Sequence, residues 1–303
     1  MKTEALSSTP ALEPSSETDK VHTDNAYQAC LHLAQTHYEN FPVASRLLPA
    51  WLRPPVAAIY AFARHADDFA DEGNLSDSER LEHLNEYRHK LYDIEKNSTV
   101  SDPVFIALKH TIETHQLPTE QFHKLLSAFK QDVTKKRYAN ISEVLDYCDR
   151  SANPVGYLLL SLFKRATEKN IVYSNNICSA LQIINFLQDI NVDYQKGRIY
   201  LPQDELQKYR ITEKHIAEQR HTVSWKKFMG LQLDRVEAMM LDGAPLAKVL
   251  PGRTGLEIRA TVVGGLCIID KLRKQNLYDF PDQPRLNLLD WVKILATAIY
   301  YPY

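Results

Sequence analysis

Glycine is scarce in this 303-residue chain, at nine residues, and several of those fall where a helix would end. Turn residues do not recur at strand-turn-strand spacing, which argues against a β-sandwich or barrel. The four cysteines, Cys30, Cys148, Cys178 and Cys267, lie far apart and form no CxxC pair. Neither a zinc site nor a disulfide framework is implied, and a reducing cytoplasmic setting fits. The formal net charge of -2 gives no footprint for nucleic acid. No apolar run reaches the roughly 18 residues of a membrane span. The first twenty residues lack the apolar stretch of an export signal. Phosphate loops, GxSxG elbows, HExxH pairs and GxGxxG turns are absent, and the eleven histidines are scattered.

What is present is helical periodicity. Pro54 and Pro55 open a helix that runs through Val56, Ile59, Tyr60 and Ala63 to about Asp71, and Gly73 follows as a stop. Further helices are predicted over 25–38, 77–96, 102–115, 119–136, 141–168, 174–194, 213–241, 246–275 and 287–300. With no internal repeat and no linker, residues 22–303 read as one all-α domain. Residues 1–21, rich in Ser, Thr, Pro and Glu, read as a disordered tail.

Two polar stripes carry chemistry. Tyr60, Arg64, Asp67 and Asp71 are spaced 4, 3 and 4, so a helix gathers them on one face. Gln182, Asn185, Asp189 and Asp193 are spaced 3, 4 and 4 on a helix that is otherwise strongly apolar. A solvated face would explain the first stripe alone. A polar stripe on an apolar helix is costly unless it faces a site. Two of them suggest two helices aiming carboxylates into one cavity.

Facing carboxylates repel, and a hard divalent cation relieves that repulsion. Oxygen ligands select Mg²⁺, with Mn²⁺ as a substitute, over zinc. Mg²⁺ bound by few carboxylates fills its octahedron with water and substrate phosphates. The implied ligand is a diphosphate, with Arg64 placed to contact the same anion.

These residues resemble the squalene/phytoene synthase family. Asp67 to Asp71 is similar to its first acidic motif and Asp189 to Asp193 to its second. Gly197-Arg198-Ile199-Tyr200-Leu201-Pro202 resembles its GRxYLP turn. The likeness extends from about Ala26 to about Leu277. It implies a single-domain isoprenoid synthase helical fold with a central cavity and a prenyl diphosphate substrate. It also implies substrate-binding roles for His37, Phe41, Arg64, Gln182, Asn185, Arg198 and Tyr200. Asp67, Asp71, Asp189 and Asp193 become metal ligands and catalytic groups, joined by Tyr60 and Tyr147.

One segment departs from the common pattern. Asn40-Phe41-Pro42-Val43-Ala44-Ser45 stands where the family has a serine-rich stretch. With Tyr147 to Gly156, it resembles the bacterial hydroxysqualene synthase branch. That branch implies ionisation of presqualene diphosphate, rearrangement in an apolar pocket and a water quench, with no nicotinamide cofactor. Phe41, Phe62, Leu159, Phe163, Ile183 and Phe186 are candidates to line the pocket, with core packing as the plain alternative. A synthase joining two prenyl diphosphates needs the same acidic motifs and is the rival. An inactive assembly factor is the second rival, opposed by the presence of all four aspartates. The amphipathic stretch from Leu288 to Leu295 allows peripheral contact with the inner membrane, or a packed terminal helix. Association with neighbouring pathway enzymes is also compatible.

Overall fold

The computed structural model describes residues 17–36, 48–220, 222–250, 252–274 and 284–300. Fifteen α-helices occupy most of them. The first five are α1 (Glu17–Thr36), α2 (Arg53–Asp71), α3 (Asp77–Glu95), α4 (Pro103–His115) and α5 (Thr119–Thr134). Then come α6 (Ile141–Ser151), α7 (Asn153–Leu162), α8 (Glu168–Gln188), α9 (Ile190–Gln195) and α10 (Gln203–Lys208). The last are α11 (Glu213–Ala217), α12 (Val223–Gly243), α13 (Leu246–Val249), α14 (Gly252–Lys274) and α15 (Leu288–Tyr300). Two short strands, β1 (Arg137–Tyr138) and β2 (Ile199–Pro202), pair in parallel.

Local chemistry explains many helix starts. Prolines occupy the first turn of α2, where no intrahelical N–H is needed. Ser76 and Glu79 form a reciprocal cap on α3: the Ser76 N–H donates to the Glu79 carboxylate at 2.8 Å, and the Glu79 N–H to the Ser76 hydroxyl at 3.3 Å. Asn140 caps α6 by accepting from the Glu143 N–H at 3.1 Å.

Several predicted helices are broken in the structure. The stretch 141–168 divides at Ala152, because Pro154 has no N–H to donate back along the helix, and α7 then ends at Leu162. The stretch 174–194 starts earlier, at Glu168, and kinks at Asp189, whose φ of -102° and ψ of 13° leave the helical well. The stretch 213–241 divides after Ala217, near Gln219 with a φ of 51°. The stretch 246–275 divides between Val249 and Gly252. Helix α1 begins at Glu17, inside the segment read as tail and ahead of the expected start at 25.

Two apolar cores flank a central space. In one, Phe62 of α2 stacks on Tyr87 at 5.1 Å and meets the edges of Phe105 and Phe122 at 5.9 and 5.3 Å. The other gathers Ile184 of α8, Trp225, Phe228 and Met240 of α12, and Ile268 of α14. Between them lies a cavity of about 330 Å³ walled by α2, α7, α8, the α13 region and α14. The expected helical fold with a central cavity is what the chain adopts.

Candidate active site

The first acidic stripe lies on the last two turns of α2, at the end of the helix that walls the cavity through Val56, Ile59, Tyr60 and Ala63. Tyr60 is therefore on the cavity wall, one turn before Arg64. The Arg64 guanidinium pairs with Asp68 at 2.6 Å and lies 3.7 Å from Asp67. Arg64 is thus shared between Asp68 and Asp67.

The second motif is delivered by the kink at Asp189, which ends α8 and opens α9. The chain then turns at Gly197, whose φ of +77° few other residues adopt cheaply. This brings the Arg198 N–H back onto the Asp193 carbonyl at 2.7 Å. The Arg137 side chain holds the turn by donating to the Gly197 carbonyl at 2.7 Å.

The turn joins the two motifs. The Arg198 guanidinium donates to Asp71 at 2.6 Å, and the Lys196 ammonium to the other Asp71 oxygen at 3.2 Å. The Arg198 side chain is only 8% accessible, so this is a nearly desolvated charge pair. Burial, then the adjacent Asp71 carboxylate, pushes Asp67 up to about 7, with Arg64 opposing. Burial, then repulsion from Asp189, pushes Asp193 up to about 7; Arg198 opposes, and Asp71 across the cleft adds repulsion. One cleft therefore holds the predicted carboxylates, whose mutual repulsion Arg64, Lys196 and Arg198 offset only in part.

Beneath it runs a buried relay. Arg198 donates to the Tyr200 hydroxyl at 3.3 Å, and Tyr200 donates to Asp132 at 2.8 Å. Tyr147 donates to the other Asp132 oxygen at 2.6 Å. The Tyr200 ring stacks on Phe186 at 3.9 Å. Burial holds Asp132 up at about 6, against the lowering pull of the two tyrosine hydroxyls and Arg198. Tyr147 and Tyr200 are thus fully engaged below the cleft, and neither lines the cavity. Asp132 and Lys196 escaped the sequence reading. For Asp132 a signal existed: an acid falls on the apolar face of α5 beside Phe129 and Val133.

Gln182 is half-buried and Asn185 exposed on α8, upstream of Asp189. His37 and Phe41, with the Asn40 to Ser45 segment, lie outside the described residues. Of the apolar candidates, Leu159 and Phe163 line the cavity; Phe62, Ile183 and Phe186 are core residues instead. Gly156 is a point of close approach between α7 and α8. A methyl group there would meet the Ser174 Oγ at 2.2 Å and the Cys178 Sγ at 2.7 Å.

Among the described residues no three carboxylate, imidazole or thiolate side chains close around one point as a ready metal cage. The site instead fits a hard cation taking one or two carboxylates from the protein and its other ligands from water and a diphosphate. The donor set is all oxygen, and burial together with neighbouring carboxylates keeps Asp67 and Asp193 raised despite Arg64 and Arg198.

Helices enclosing an apolar cavity with a carboxylate-lined cleft at one end define the class, a squalene synthase-like terpenoid synthase fold. The chain superposes on a squalene synthase from Alicyclobacillus acidocaldarius with a TM-score of 0.79 and 34% identity, covering 84% of this chain and 95% of that one. It superposes equally, at 0.79, on a dehydrosqualene synthase solved with a ligand, at 21% identity over 93% of this chain and 98% of that one. The squalene/phytoene synthase family model matches residues 34–291, and the chain belongs to that family. Its members are enzymes acting on prenyl diphosphates. The hydroxysqualene synthase of Rhodopseudomonas palustris is 34% identical over 231 residues, 75% of this chain and 77% of that protein. That of Zymomonas mobilis is 42% identical over 170 residues, and the match spans about half of each, 55% in both cases. The phytoene synthase of Mycobacterium tuberculosis is 32% identical over 188 residues, 62% of this chain and 61% of that protein.

Proposed function

We propose that this protein is a hydroxysqualene synthase: it ionises presqualene diphosphate and quenches the rearranged cation with water, without a nicotinamide cofactor. The observation carrying the reading is the bridge from Arg198 to Asp71, which ties both acidic motifs into one cleft at the end of an apolar cavity. A diphosphate belongs in the cleft and its hydrocarbon in the cavity. The choice of this product over its relatives is supported by the likeness to two hydroxysqualene synthases.

In this mechanism Asp67, Asp71, Asp189 and Asp193 would hold Mg²⁺, or Mn²⁺ in its place. The metal would supply Lewis-acid neutralisation of the diphosphate. Arg198 and Lys196, released from Asp71 as the anion arrives, are positioned to donate to the departing group, with Arg64 behind them. Tyr200 and Tyr147 anchor Arg198 through Asp132. The cation then rearranges against the walls of α2, α7 and α8, which exclude bulk water until it is quenched.

No described helix is long and apolar enough to cross a membrane. The exposed face of α15 nevertheless carries Leu288, Leu289, Val292, Ile299 and Tyr300, Leu288 being 80% accessible. Peripheral binding to a lipid surface would shelter that face.

The test is incubation with presqualene diphosphate and Mg²⁺ without reductant, in ¹⁸O-water, with mass analysis of the extract. A labelled triterpene alcohol is expected. The second reading, a synthase joining two prenyl diphosphates, is favoured by the phytoene synthase likeness. Efficient product from farnesyl or geranylgeranyl diphosphate alone would establish it instead.

A further inference from the structure

A carbocation quenched by water needs more than space. The water must be held by polar partners, since an apolar cavity stays dry. It must also lose a proton as its oxygen bonds to carbon. Among the described residues lining the cavity, one is charged: Glu257 of α14. Thr254 and Thr261 line the same cavity from the same helix. Their spacing of 3 and 4 about Glu257 puts one hydroxyl a turn to either side of the carboxylate. The other walls are mostly apolar, with Val56, Ile59, Val155 and Leu159 among them and Tyr60 and Ser174 as polar exceptions.

This patch is built on α14, whereas the acidic motifs belong to α2 and to the junction of α8 and α9. The acidic motif follows Tyr60 along α2, so the diphosphate end lies where α2 terminates. Glu257 belongs to another helix and is in neither acidic motif. Glu257 puts a carboxylate on the wall that a hydrocarbon cation in the cavity would face. Beside a cation it is attracted rather than penalised, and beside a nascent oxonium it is a proton acceptor.

We infer that Glu257, flanked by Thr254 and Thr261, seats the quenching water and accepts its proton. The inference rests on the hydroxysqualene synthase reading. The balance is as follows. The ester C–O bond breaks and diphosphate leaves with the electron pair. After rearrangement, a water lone pair forms the new C–O bond. One water proton passes to the Glu257 carboxylate, and exchange with solvent restores it on product release. No oxidant or reductant is required.

The experiment compares wild type with Glu257→Gln, Glu257→Asp and Thr261→Val on presqualene diphosphate and Mg²⁺. Diphosphate release, product distribution and melting temperature are measured together. In Glu257→Gln, release is expected to stay within about threefold of wild type. The alcohol share should fall about tenfold or more, replaced by hydrocarbons from direct proton loss. Glu257→Asp should recover part of the alcohol, and Thr261→Val should lower it with release unchanged. An unaltered product ratio in Glu257→Gln, or loss of alcohol and diphosphate release in parallel, would overturn the assignment. If Glu257→Gln does not fold, the ratio in Glu257→Asp and Thr261→Val decides, an unaltered ratio in both being refutation. If wild type makes no alcohol from presqualene diphosphate, the functional reading itself fails. An unaltered ratio in a wild type that does make it sinks only the role of Glu257.

Discussion

Asp67→Asn should stabilise the metal-free protein while abolishing its activity. The carboxyl of Asp67 is pushed up to about 7, by burial first and by Asp71 second. Holding it charged at pH 8 against its usual 3.8 would cost about 4 kcal/mol without screening. The side chain is 43% accessible, so water screens much of this. A net gain of about 1–2 kcal/mol on removing the charge is the working figure. In a chain of this size that raises the melting temperature by about 2–4 °C. Because the folded pKa lies above the unfolded one, the native state binds the extra proton. Metal-free wild type is then most stable in this respect below about pH 4 and loses stability as pH rises towards about 7. Asp67→Asn removes the Asp67 share of that slope, and the Asp193 share remains. The assay is thermal unfolding by circular dichroism at pH 6 and pH 8 in EDTA and low salt, with turnover measured in Mg²⁺. Turnover should drop by orders of magnitude. A variant less stable than wild type at pH 8 in EDTA would refute the account of a cleft strained by its own carboxylates.

Chelation with EDTA should abolish turnover, and excess Mg²⁺ should restore it; full activity in EDTA would end the metal assignment. Gly156→Ala should destabilise by about 1–3 kcal/mol in chemical denaturation, because its methyl meets the Ser174 Oγ at 2.2 Å. Tyr147→Phe should cost about 1–2 kcal/mol, since a buried Asp132 oxygen loses its donor, and unfolding titrations would detect it. Lysines at Leu288, Leu289 and Val292 should leave stability within about 0.5 kcal/mol of wild type, these side chains being 80%, 79% and 61% accessible. The same variant should lose binding to uncharged phosphatidylcholine vesicles in a sedimentation assay, where the added lysines gain no electrostatic attraction.

Periodicity and punctuation carried the elements of the fold. The proline pair before Val56 and the cap at Ser76 act within a few residues, so their effect is readable along the chain. The stripes at Asp67 and Asp189 were legible for the same reason: a helix of 3.6 residues per turn turns spacing into a face. The kink at Asp189 was not. Its i→i−4 hydrogen bonds persist on both sides, from the Asp189 N–H to Asn185 and from the Asp193 N–H to Asp189. Nothing in the local sequence demands the break.

Long-range partners were beyond the sequence. The bond from Arg198 to Asp71 spans 127 positions, and Tyr200 reaches Asp132 across 68. Such pairs are chosen by which helices pack together, which depends on the shapes of whole apolar faces. Tyr147 illustrates the result: the resemblance implied a catalytic tyrosine, and packing decides that its hydroxyl donates to Asp132. Phe62 was sorted the same way, into the aromatic cluster with Tyr87, Phe105 and Phe122. The sequence by itself determined that carboxylates would line helix faces, because that follows from backbone geometry. Only the tertiary structure decided that two of those faces share one cleft, that Arg198 and Lys196 bridge it, and that Glu257 stands on the cavity wall. Those are relations between distant segments, set by close packing.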